Sequence, residues 1–514
     1  MNGSLLVEKL LCYAEKHLHL EAVDKTYVRN VLLSELKAGE PYEGEIDSES
    51  IAQMDVPDAL FDELKTFAIE NQLCEEYNAE IFCSNIFGML TPMPSVVNRE
   101  FGNIKNSDGA QAACDYLFDM CIKNGYIQKT AIGRNLKWTY QDGDRILEIT
   151  VNLSKPEKNN KDIAKLLTAP QSKKYPKCLL CKENEGFEGT LTHPPRRNLR
   201  TIKLRLGGQK WFVQYSPYAY YDEHCIAINE DHVPMSVDAS TPDKLLDFVD
   251  ALPNYFIGSN ASLPIVGGSI LNHEHFQGGL HLMPMHHAKI EREYVSDRFP
   301  DLKIGILNWY NSALQIEGED RKSVAAFAAS VINAWKKFSC PECDIQCETD
   351  GTPHNAVSPI CRKVNNKYDF TMILRNNRTN EQFPDGIFHV HPEYQNIKSE
   401  GIGLIEAMGL FILPGRLKRQ LEDIAEILCG KSAYDEKALQ DANHPLYVHR
   451  NMIKTLLGEG LASNMDGARA RCENYVNKVC AAILDNTAVF KHDETGRAGF
   501  DKFIDILKLK EVKK

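Results

Sequence analysis

The chain has 514 residues, which is too long for one ordinary hydrophobic core and predicts roughly two to four domain-sized units. Hydrophobic residues make up 43% and charged residues 25%, the balance of a soluble globular protein. The formal net charge of −12 argues against a general attraction to nucleic acid or to an anionic membrane, so a phosphate-bearing ligand has to meet a local cluster of donors.

The apolar stretches, the N-terminal segment and the cysteines indicate in which cellular compartment the protein is expected. No stretch approaches the roughly 18 uncharged apolar residues of a transmembrane helix. Glu8 and Lys9 lie inside an amphipathic pattern with Leu6, Leu10 and Tyr13, unlike the apolar block of a signal peptide. Most of the 15 cysteines stand singly, which favours buried thiols in a reducing compartment. We therefore expect a cytoplasmic protein with no membrane partner.

Residues 1–170 are predicted to form a mainly helical N-terminal region, because apolar residues recur there at three-to-four spacing. An Asp142-Gly143 pair between two strand-like segments indicates a β-hairpin near its end. The polar segment 154–161 is typical of a linker.

Residues 171–415 change to short alternating strands separated by turns. Helical segments near 241–256 and 322–338 interrupt the strands, whose spacing is that of hairpins and not of long crossovers. This pattern predicts an antiparallel α+β architecture. The helical pattern returns in residues 416–514.

One polar motif stands out in residues 262–279, which read SLPIVGGSILNHEHFQGG. In a β-strand, His273, His275 and Gln277 would share one face, while Glu274 and Phe276 would point the other way. Paired glycines on both sides permit bends and the close approach of a ligand to backbone amides. The motif is therefore the leading candidate for a functional site.

The residues of this motif allow two functional interpretations beside that of an ordinary packed histidine pair. A cupin-like barrel uses two histidines as metal ligands, but it needs a carboxylate three or four residues later, where this chain has Gly279 and Leu280. Alternatively, one imidazole attacks a phosphorus atom, since neutral imidazole is nucleophilic near pH 7. Gln277 would then donate amide hydrogens to a phosphoryl oxygen without protonating the leaving group.

Two cysteine pairs have the spacing by which a turn presents two thiolates to one zinc ion. They are Cys178 with Cys181, and Cys340 with Cys343, which has Cys347 nearby.

The motif resembles the active-site signature of the class II galactose-1-phosphate uridylyltransferases, distant relatives of the histidine-triad nucleotide-binding proteins. Other blocks resemble the same family in the same order along nearly the whole chain: residues 87–95, 175–186, 351–355, 374–379 and 401–409. The resemblance implies an α+β fold with two histidine-triad-like antiparallel-sheet halves, 171–300 and 301–415. A helical region, 1–170, would precede them, and a helical extension, 416–514, would follow.

The resemblance also implies a reaction, a ping-pong exchange without an organic cofactor. UDP-glucose would give its uridylyl group to a histidine, and galactose 1-phosphate would then take that group. By the family's pattern His275 is the nucleophile and Gln277 the phosphate donor. The alternatives are a related nucleoside-polyphosphate phosphorylase or hydrolase, a transferase for another hexose 1-phosphate, and a non-catalytic zinc-stabilised nucleotide-binding protein.

Comparison with the class I transferases implies a structural zinc ion. The matching ligands here are Cys178, Cys181, His232 and His273. A second histidine group matches positions that bind another metal in class I, and it is equally well interpreted as a polar wall of the sugar-phosphate pocket: His354, His389 and His391. The cluster from Cys340 to Cys347 does not fit the family pattern.

Several residues are candidate substrate contacts because of where they fall in the resemblance or beside the motif. They are Asn272, Tyr218, Arg196, Arg197, Lys398 and Glu406. The class I relatives are dimers, so a homodimer is expected.

Overall fold

The computed structural model describes residues 2–154, 175–268 and 270–512. Most of the predicted linker, 154–161, and the predicted boundary at 170/171 lie outside these residues. The α-helices are α1 (Gly3–His17), α2 (Lys25–Glu35), α3 (Ser48–Ala52), α4 (Asp58–Glu70), α5 (Ala79–Leu90), α6 (Pro94–Ser107), α7 (Ala110–Lys123), α8 (Lys129–Gly133), α9 (Thr241–Ala251), α10 (Arg321–Trp335), α11 (Leu404–Ala407), α12 (Arg416–Leu428), α13 (Arg450–Gly458), α14 (Met465–Thr487) and α15 (Glu494–Ile506).

The β-strands form three sheets. They are β1 (Leu136–Asp142), β2 (Arg145–Asn152), β3 (Ile202–Leu206), β4 (Gln209–Tyr215), β5 (Cys225–Asn229), β6 (Phe256–Gly258), β7 (His275–Gly279), β8 (Ile290–Ser296), β9 (Lys303–Leu307), β10 (Ala313–Gly318), β11 (Glu348–Thr349), β12 (Thr352–Pro353), β13 (Asn355–Val364), β14 (Lys367–Asn376), β15 (Leu410–Pro414) and β16 (Leu509–Glu511).

The N-terminal helices α1–α5 surround a hydrophobic core of their own. Asn2 caps α1 by accepting hydrogen bonds from the backbone amides of Ser4 and Leu5. The amphipathic stripe of this helix is buried as its spacing predicts, with Leu6 and Leu10 fully inaccessible to solvent.

Eleven antiparallel strands form the central sheet, in the order β16-β8-β9-β10-β14-β13-β6-β7-β5-β4-β3. The order repeats itself about the β6–β13 pair, where Gly258 lies opposite Ile360. Reading outward, one half is β6-β7-β5-β4-β3 and the other is β13-β14-β10-β9-β8. In each half a helix, α9 or α10, precedes the strand at the centre. The predicted α+β class with two antiparallel-sheet halves is therefore confirmed.

The two faces of the central sheet have different covers. Helices α9 and α10 pack on one face and enclose the largest hydrophobic cluster. The other face is covered in part by a second cluster drawn largely from residues 397–484. In the motif strand β7 on this sheet, Gln277 is only partly buried, whereas the other residues of the strand are buried.

Two strands in the C-terminal part of the chain, β15 and β16, pair with strands that lie far from them in the sequence. Strand β15 pairs with β2 in parallel, next to the predicted hairpin β1–β2. Strand β16 pairs with β8 at the edge of the central sheet. The region 416–514, which was predicted to be helical, therefore also contains a strand. Strand β8 falls in the predicted half 171–300 but pairs with β9 of the other half. The domain boundaries stay a prediction.

None of the described helices combines the length and the apolar character needed to cross a bilayer.

Candidate active site

His275 begins strand β7, which runs between β5 and β6. Its Nδ1 lies 2.8 Å from the carbonyl oxygen of His273. A carbonyl oxygen can only accept, so Nδ1 carries the hydrogen and Nε2 carries the free electron pair. Among the described residues no group is hydrogen-bonded to Nε2. Burial lowers the pKa of His275 to about 4, which keeps the ring neutral and nucleophilic at neutral pH.

The side chains between the motif's polar residues point to the helix-covered face, as the strand period predicts. Phe276 stacks on Trp211, with ring centroids 4.8 Å apart. Glu274 forms a buried ion pair with Lys244 at 2.6 Å and accepts a hydrogen bond from the side chain of Asn229 at 2.8 Å. These contacts anchor the strand from behind, so the other face can present its side chains in a fixed direction.

Four predicted metal ligands lie together beside the start of β7. Cys178, Cys181, His232 and His273 bring their ligand atoms within 4.8 Å of one another. The two Sγ atoms are 3.6 Å apart, and their distances to the two Nδ1 atoms range from 3.1 to 3.8 Å. A tetrahedral zinc site with normal bond lengths has edges of about 3.8 Å between sulfurs and about 3.6 Å between sulfur and nitrogen. The spacing therefore fits a metal ion of this kind.

The ring of His273 is oriented for such a role. Its Nε2 lies 2.9 Å from the carbonyl oxygen of Asn229 and donates to it, so Nδ1 keeps an electron pair facing the two thiols. Burial raises the pKa of Cys181 to about 11 in the absence of a cation, and a bound cation would favour its thiolate. The same cluster thus fixes the residue whose carbonyl holds the ring of His275.

A cleft of about 840 Å³ opens on the strand face that carries Gln277. Gly267 and Gly268 of the motif line it together with Gln277. A Cβ atom on Gly267 would lie 2.4 Å from the carbonyl oxygen of Ala261, so only glycine allows the chain to fold this tightly at the rim. The volume is sufficient for a sugar nucleotide.

Two predicted substrate contacts meet on one wall of this cleft. Lys398 and Glu406 form an ion pair at 3.0 Å, with side chains 6% and 13% exposed. Lys398 also donates to the carbonyl of Ile412, and Glu406 accepts from the amide of Gly403. The pair is held rigidly and offers both a cationic and an anionic group to a ligand.

Sequence reasoning missed Arg375, which lies behind that wall. It is fully buried and donates to the carbonyl of Ile402 at 2.8 Å, while its Nε and one terminal nitrogen have no partner among the described residues. Burial lowers the pKa of Arg375 to about 10, and Glu406 opposes the shift. The only signal in the sequence was that residues 374–379 resemble a block of the family, and this resemblance assigned no role to Arg375.

The second predicted histidine group does not form the geometry of a metal site among the described residues. His389 lines the cleft, 5% exposed, with neither ring nitrogen partnered in the described structure. His354 instead contacts Asn377 and Thr349, and His391 donates to the carbonyl of Ile387. In residues 2–154, 175–268 and 270–512, the group around Cys178 alone has the geometry of a metal site. Cys340 and Cys343 approach to 3.2 Å, and Glu342 accepts from Cys340 at 3.4 Å, but these residues do not form a group with the geometry of a metal site.

The remaining predicted contacts lie outside the described lining of the cleft. Arg196 donates to the carbonyl of Pro195, and Arg197 packs against Gly88. Tyr218 stacks at 6.3 Å on Tyr220, which does line the cleft. Asn272 is exposed. Their substrate roles stay predictions.

A buried neutral imidazole with one bare nitrogen, two residues along the same strand from a glutamine that lines a cleft, is the arrangement of an enzyme that transfers a group covalently. The family described as galactose-1-phosphate uridyl transferase matches this chain twice, its N-terminal domain over residues 25–234 and its C-terminal domain over residues 248–444. The chain belongs to the galactose-1-phosphate uridyl transferase family. The predicted enzyme class, a nucleotidyltransferase, is confirmed by this membership.

Three relatives show how far the similarity extends. A galactose-1-phosphate uridylyltransferase of Caldanaerobacter subterraneus subsp. tengcongensis is 42% identical, with 98% of each chain covered. One of Clostridium acetobutylicum is 39% identical over 98% of this chain and 99% of its own. One of Bacillus subtilis is 39% identical over 99% of this chain and 98% of its own. The similarity therefore includes the helical regions at both ends.

Proposed function

We propose that this protein transfers UMP from UDP-glucose to galactose 1-phosphate through a covalent intermediate on His275. The relatives named for galactose 1-phosphate support the substrate class. The observation that carries the proposal is the hydrogen bond from Nδ1 of His275 to the carbonyl of His273, because it leaves Nε2 free to attack.

The first half-reaction forms a bond between Nε2 and the α-phosphorus of UDP-glucose. The bond from that phosphorus to the bridging oxygen breaks, and the oxygen leaves with its electron pair as part of glucose 1-phosphate. The imidazole gains positive charge, which the hydrogen bond from Nδ1 to the carbonyl of His273 stabilises.

The second half-reaction returns the electron pair to Nε2. A phosphate oxygen of galactose 1-phosphate attacks the same phosphorus, the nitrogen–phosphorus bond breaks, and UDP-galactose forms. Neither half-reaction moves a proton, since both the leaving and the attacking oxygens are phosphate anions. An amide at position 277 suits this chemistry, because it stabilises phosphoryl charge by donating a hydrogen bond without supplying an acid.

We assign the sugar-phosphate end of the substrate to the wall of the cleft that Lys398 and Glu406 form. Lys398 would meet a phosphate or a hydroxyl oxygen and Glu406 would accept from sugar hydroxyls, which is the chemistry that such a held pair offers. His389 would add a neutral hydrogen-bonding ring, because burial, followed by the charge of Arg375, lowers its pKa to about 4.

Zinc is the ion proposed for the cluster of Cys178, Cys181, His232 and His273, since two thiolates and two imidazoles within one small sphere suit it. When bound, zinc supplies a structural cross-link between the loop of residues 178–181, His232 and the start of β7. Cytoplasmic location and a homodimer remain predictions; fifteen free cysteines are compatible with a reducing compartment.

Incubation with UDP-glucose labelled in the uridylyl group tests the covalent step. Wild-type protein should retain label after denaturation at neutral or alkaline pH, and H275G should retain none. Added imidazole should partly restore UDP-galactose formation in H275G, because it can occupy the emptied position. A fully active H275G variant would contradict the assignment, and release of label only as free nucleotide would indicate a phosphorylase or hydrolase instead.

Metal analysis tests the zinc proposal separately. Purified wild-type protein should carry about one zinc ion per chain, and C181S should carry far less, because a closed site needs all four ligands. C181S should also melt at a lower temperature, whereas C74S, at a cysteine outside the cluster, should keep both properties. Equal zinc content in wild type and C181S would refute the proposed ligand set.

A further inference from the structure

The proposed role of Gln277 requires its amide to face one way. A glutamine side chain has a donor end and an acceptor end, and only the NH2 end can stabilise a phosphoryl oxygen. The opposite orientation would place a carbonyl oxygen against the phosphate and repel it. A neighbouring donor that holds the Oε1 end would remove this ambiguity.

His224 lies where such a donor is needed. It directly precedes β5, which pairs with β7 so that Ile226 is opposite Gln277 and Cys225 is opposite Gly278. Side chains alternate along a strand, so His224, Ile226 and Gln277 project from the same face of the sheet. His224 is the diagonal neighbour of Gln277, at a distance that long side chains span. The position directly opposite His224 falls to Gly279, where a Cβ atom would lie 2.8 Å from the carbonyl oxygen of Glu223 and 2.8 Å from the ring of Tyr221, so the chain packs tightly beside His224.

The ring of His224 is held by aromatic contacts, but its nitrogens have no other hydrogen-bond partner among the described residues. It is 3% exposed and packs against two tyrosine rings, with centroid distances of 5.3 Å to Tyr220 and 4.5 Å to Tyr221. Neither of its ring nitrogens has a hydrogen bond of good geometry to any described residue. An unsatisfied buried polar group is costly, so a partner is expected in the working state.

Gln277 is the partner at hand. Burial lowers the pKa of His224 to about 4, and the contact with Gln277 opposes that shift. The ring is therefore neutral at pH 7 and carries one N–H and one bare nitrogen. Hydrogen bonds in a ligand-free site are often long and close only when substrate binds, which accounts for a contact that is near but not yet aligned.

We propose that His224 is a positioning residue that donates its ring N–H to Oε1 of Gln277 and so directs the NH2 group of Gln277 at the phosphoryl oxygen. The proposal rests on the function proposed above for His275 and Gln277. Tyr220, which lines the cleft, presses on one face of the His224 ring and couples its position to the wall of the site.

Substitution of His224 by phenylalanine tests the donor directly, because phenylalanine keeps a flat ring against the two tyrosines but has no N–H. We expect H224F to form the covalent intermediate about 10- to 100-fold more slowly, the loss typical of a removed hydrogen bond to a charge-stabilising group. KM for UDP-glucose should change far less than kcat, since the contact matters in the transition state. H224Q retains an N–H donor and should recover part of the rate.

The combination with Q277A separates positioning from general damage. If His224 acts through Gln277, H224F should slow Q277A no further, because the two losses are not additive. H286F is the matched control: His286 is also buried with both ring nitrogens unpartnered, but it packs against Phe256 and should leave kcat unchanged.

Each outcome has a defined meaning. The proposal would be overturned if the rate losses of H224F and Q277A multiplied in the double variant. It would also be overturned if H224F formed the covalent intermediate at the wild-type rate. H224M, which also cannot donate, is compared with H224Q if H224F does not fold, and equal rates in those two would overturn it as well. Mass spectrometry of the peptide carrying His275 distinguishes failure of the proposed function from failure of the proposed role of His224. Absence of a UMP adduct in the wild-type protein contradicts the proposed function. An adduct that forms equally fast in the wild type and in H224F contradicts only the role of His224.

Discussion

Lys244 and Glu274 show how much a single side chain behind the site contributes to its geometry. Their ion pair has exposures of 10% and 4%, and Lys244 also lies 5.5 Å from the ring of Trp211, which stacks on Phe276. Glu274 is the residue between His273 and His275, so its anchoring limits how far the strand can rotate. A buried pair of this kind is costly to break, although it contributes little compared with apolar residues of the same shape.

We expect K244M to lower the free energy of unfolding by about 3–5 kcal/mol, because it leaves the carboxylate of Glu274 buried without its cation. The double variant K244M/E274L should recover much of that loss, since no charge remains to be desolvated. Urea unfolding with a constant m-value measures both.

K25M is the comparison for that series. Lys25 pairs with Glu15 at 2.8 Å, but both side chains are about one-third exposed, and such a pair is worth less than about 1 kcal/mol. If K244M lost no more stability than K25M, the buried pair would not be the anchor of the strand.

At the scale of elements, the site depends on how closely β6 and β7 approach. Gly278 lies opposite Ile257, and a Cβ atom there would be 2.4 Å from the carbonyl oxygen of Phe256. The two strands could accept a larger residue only by separating.

G278A should therefore destabilise the protein by about 1–3 kcal/mol and reduce covalent labelling, because moving β7 displaces both His275 and Gln277. Thermal unfolding and labelling with UDP-glucose check the two effects. G102A is the matched control, since Gly102 lies in α6 with no atom near its missing Cβ, and alanine favours the helix. Equal melting temperatures for the two variants would show that the strand gap is not tight.

The elements also show what could be predicted from the sequence. The alternation of His275 and Gln277 with Glu274 and Phe276 was predictable because the strand period is local. The four ligands around Cys178 were predictable only through the family resemblance, since His273 follows Cys178 by 95 positions in the chain. Lys244 was not predicted, because a lysine in a helix ordinarily reads as a solvent-exposed residue.

Strand β16 and Arg375 were missed for a related reason. A strand of three residues in a basic tail has no periodicity to recognise, and only its pairing with β8 defines it. The sequence of β14 predicts a strand, but the hydrogen bond of Arg375 to Ile402 and the charge of Glu406 that acts on it come from another part of the chain. Tertiary contacts of this kind have no local signature.

At the scale of the whole molecule, buried histidines couple stability to pH. Burial lowers the pKa of His224 and of His449 from 6.5 to about 4, and it lowers that of His286 further. The unfolded chain binds protons at these positions as the pH falls below about 6.5, whereas the folded chain does not. Their contribution to stability is therefore complete above that pH and is lost as the pH falls toward 4.

We expect the difference in unfolding free energy between wild type and H449Q to change by up to about 1.4 kcal/mol per pH unit between pH 6 and pH 4.5. Comparing the two proteins by urea unfolding at several pH values cancels the opposing effect of buried carboxyls with raised pKa values, such as Glu185 and Glu223. A difference that stays constant over this range would show that His449 titrates alike in both states.

The short strand β16 has a consequence for anyone who shortens or extends this protein. It covers the outer side of β8, pairing Leu509 with Ser296 and Glu511 with Tyr294. Without residues 509–511 the amide and carbonyl groups on that side of β8 would be left open, and such an edge recruits strands from other molecules. Truncation at this end should therefore promote self-association and aggregation even though it lies far from the reacting groups.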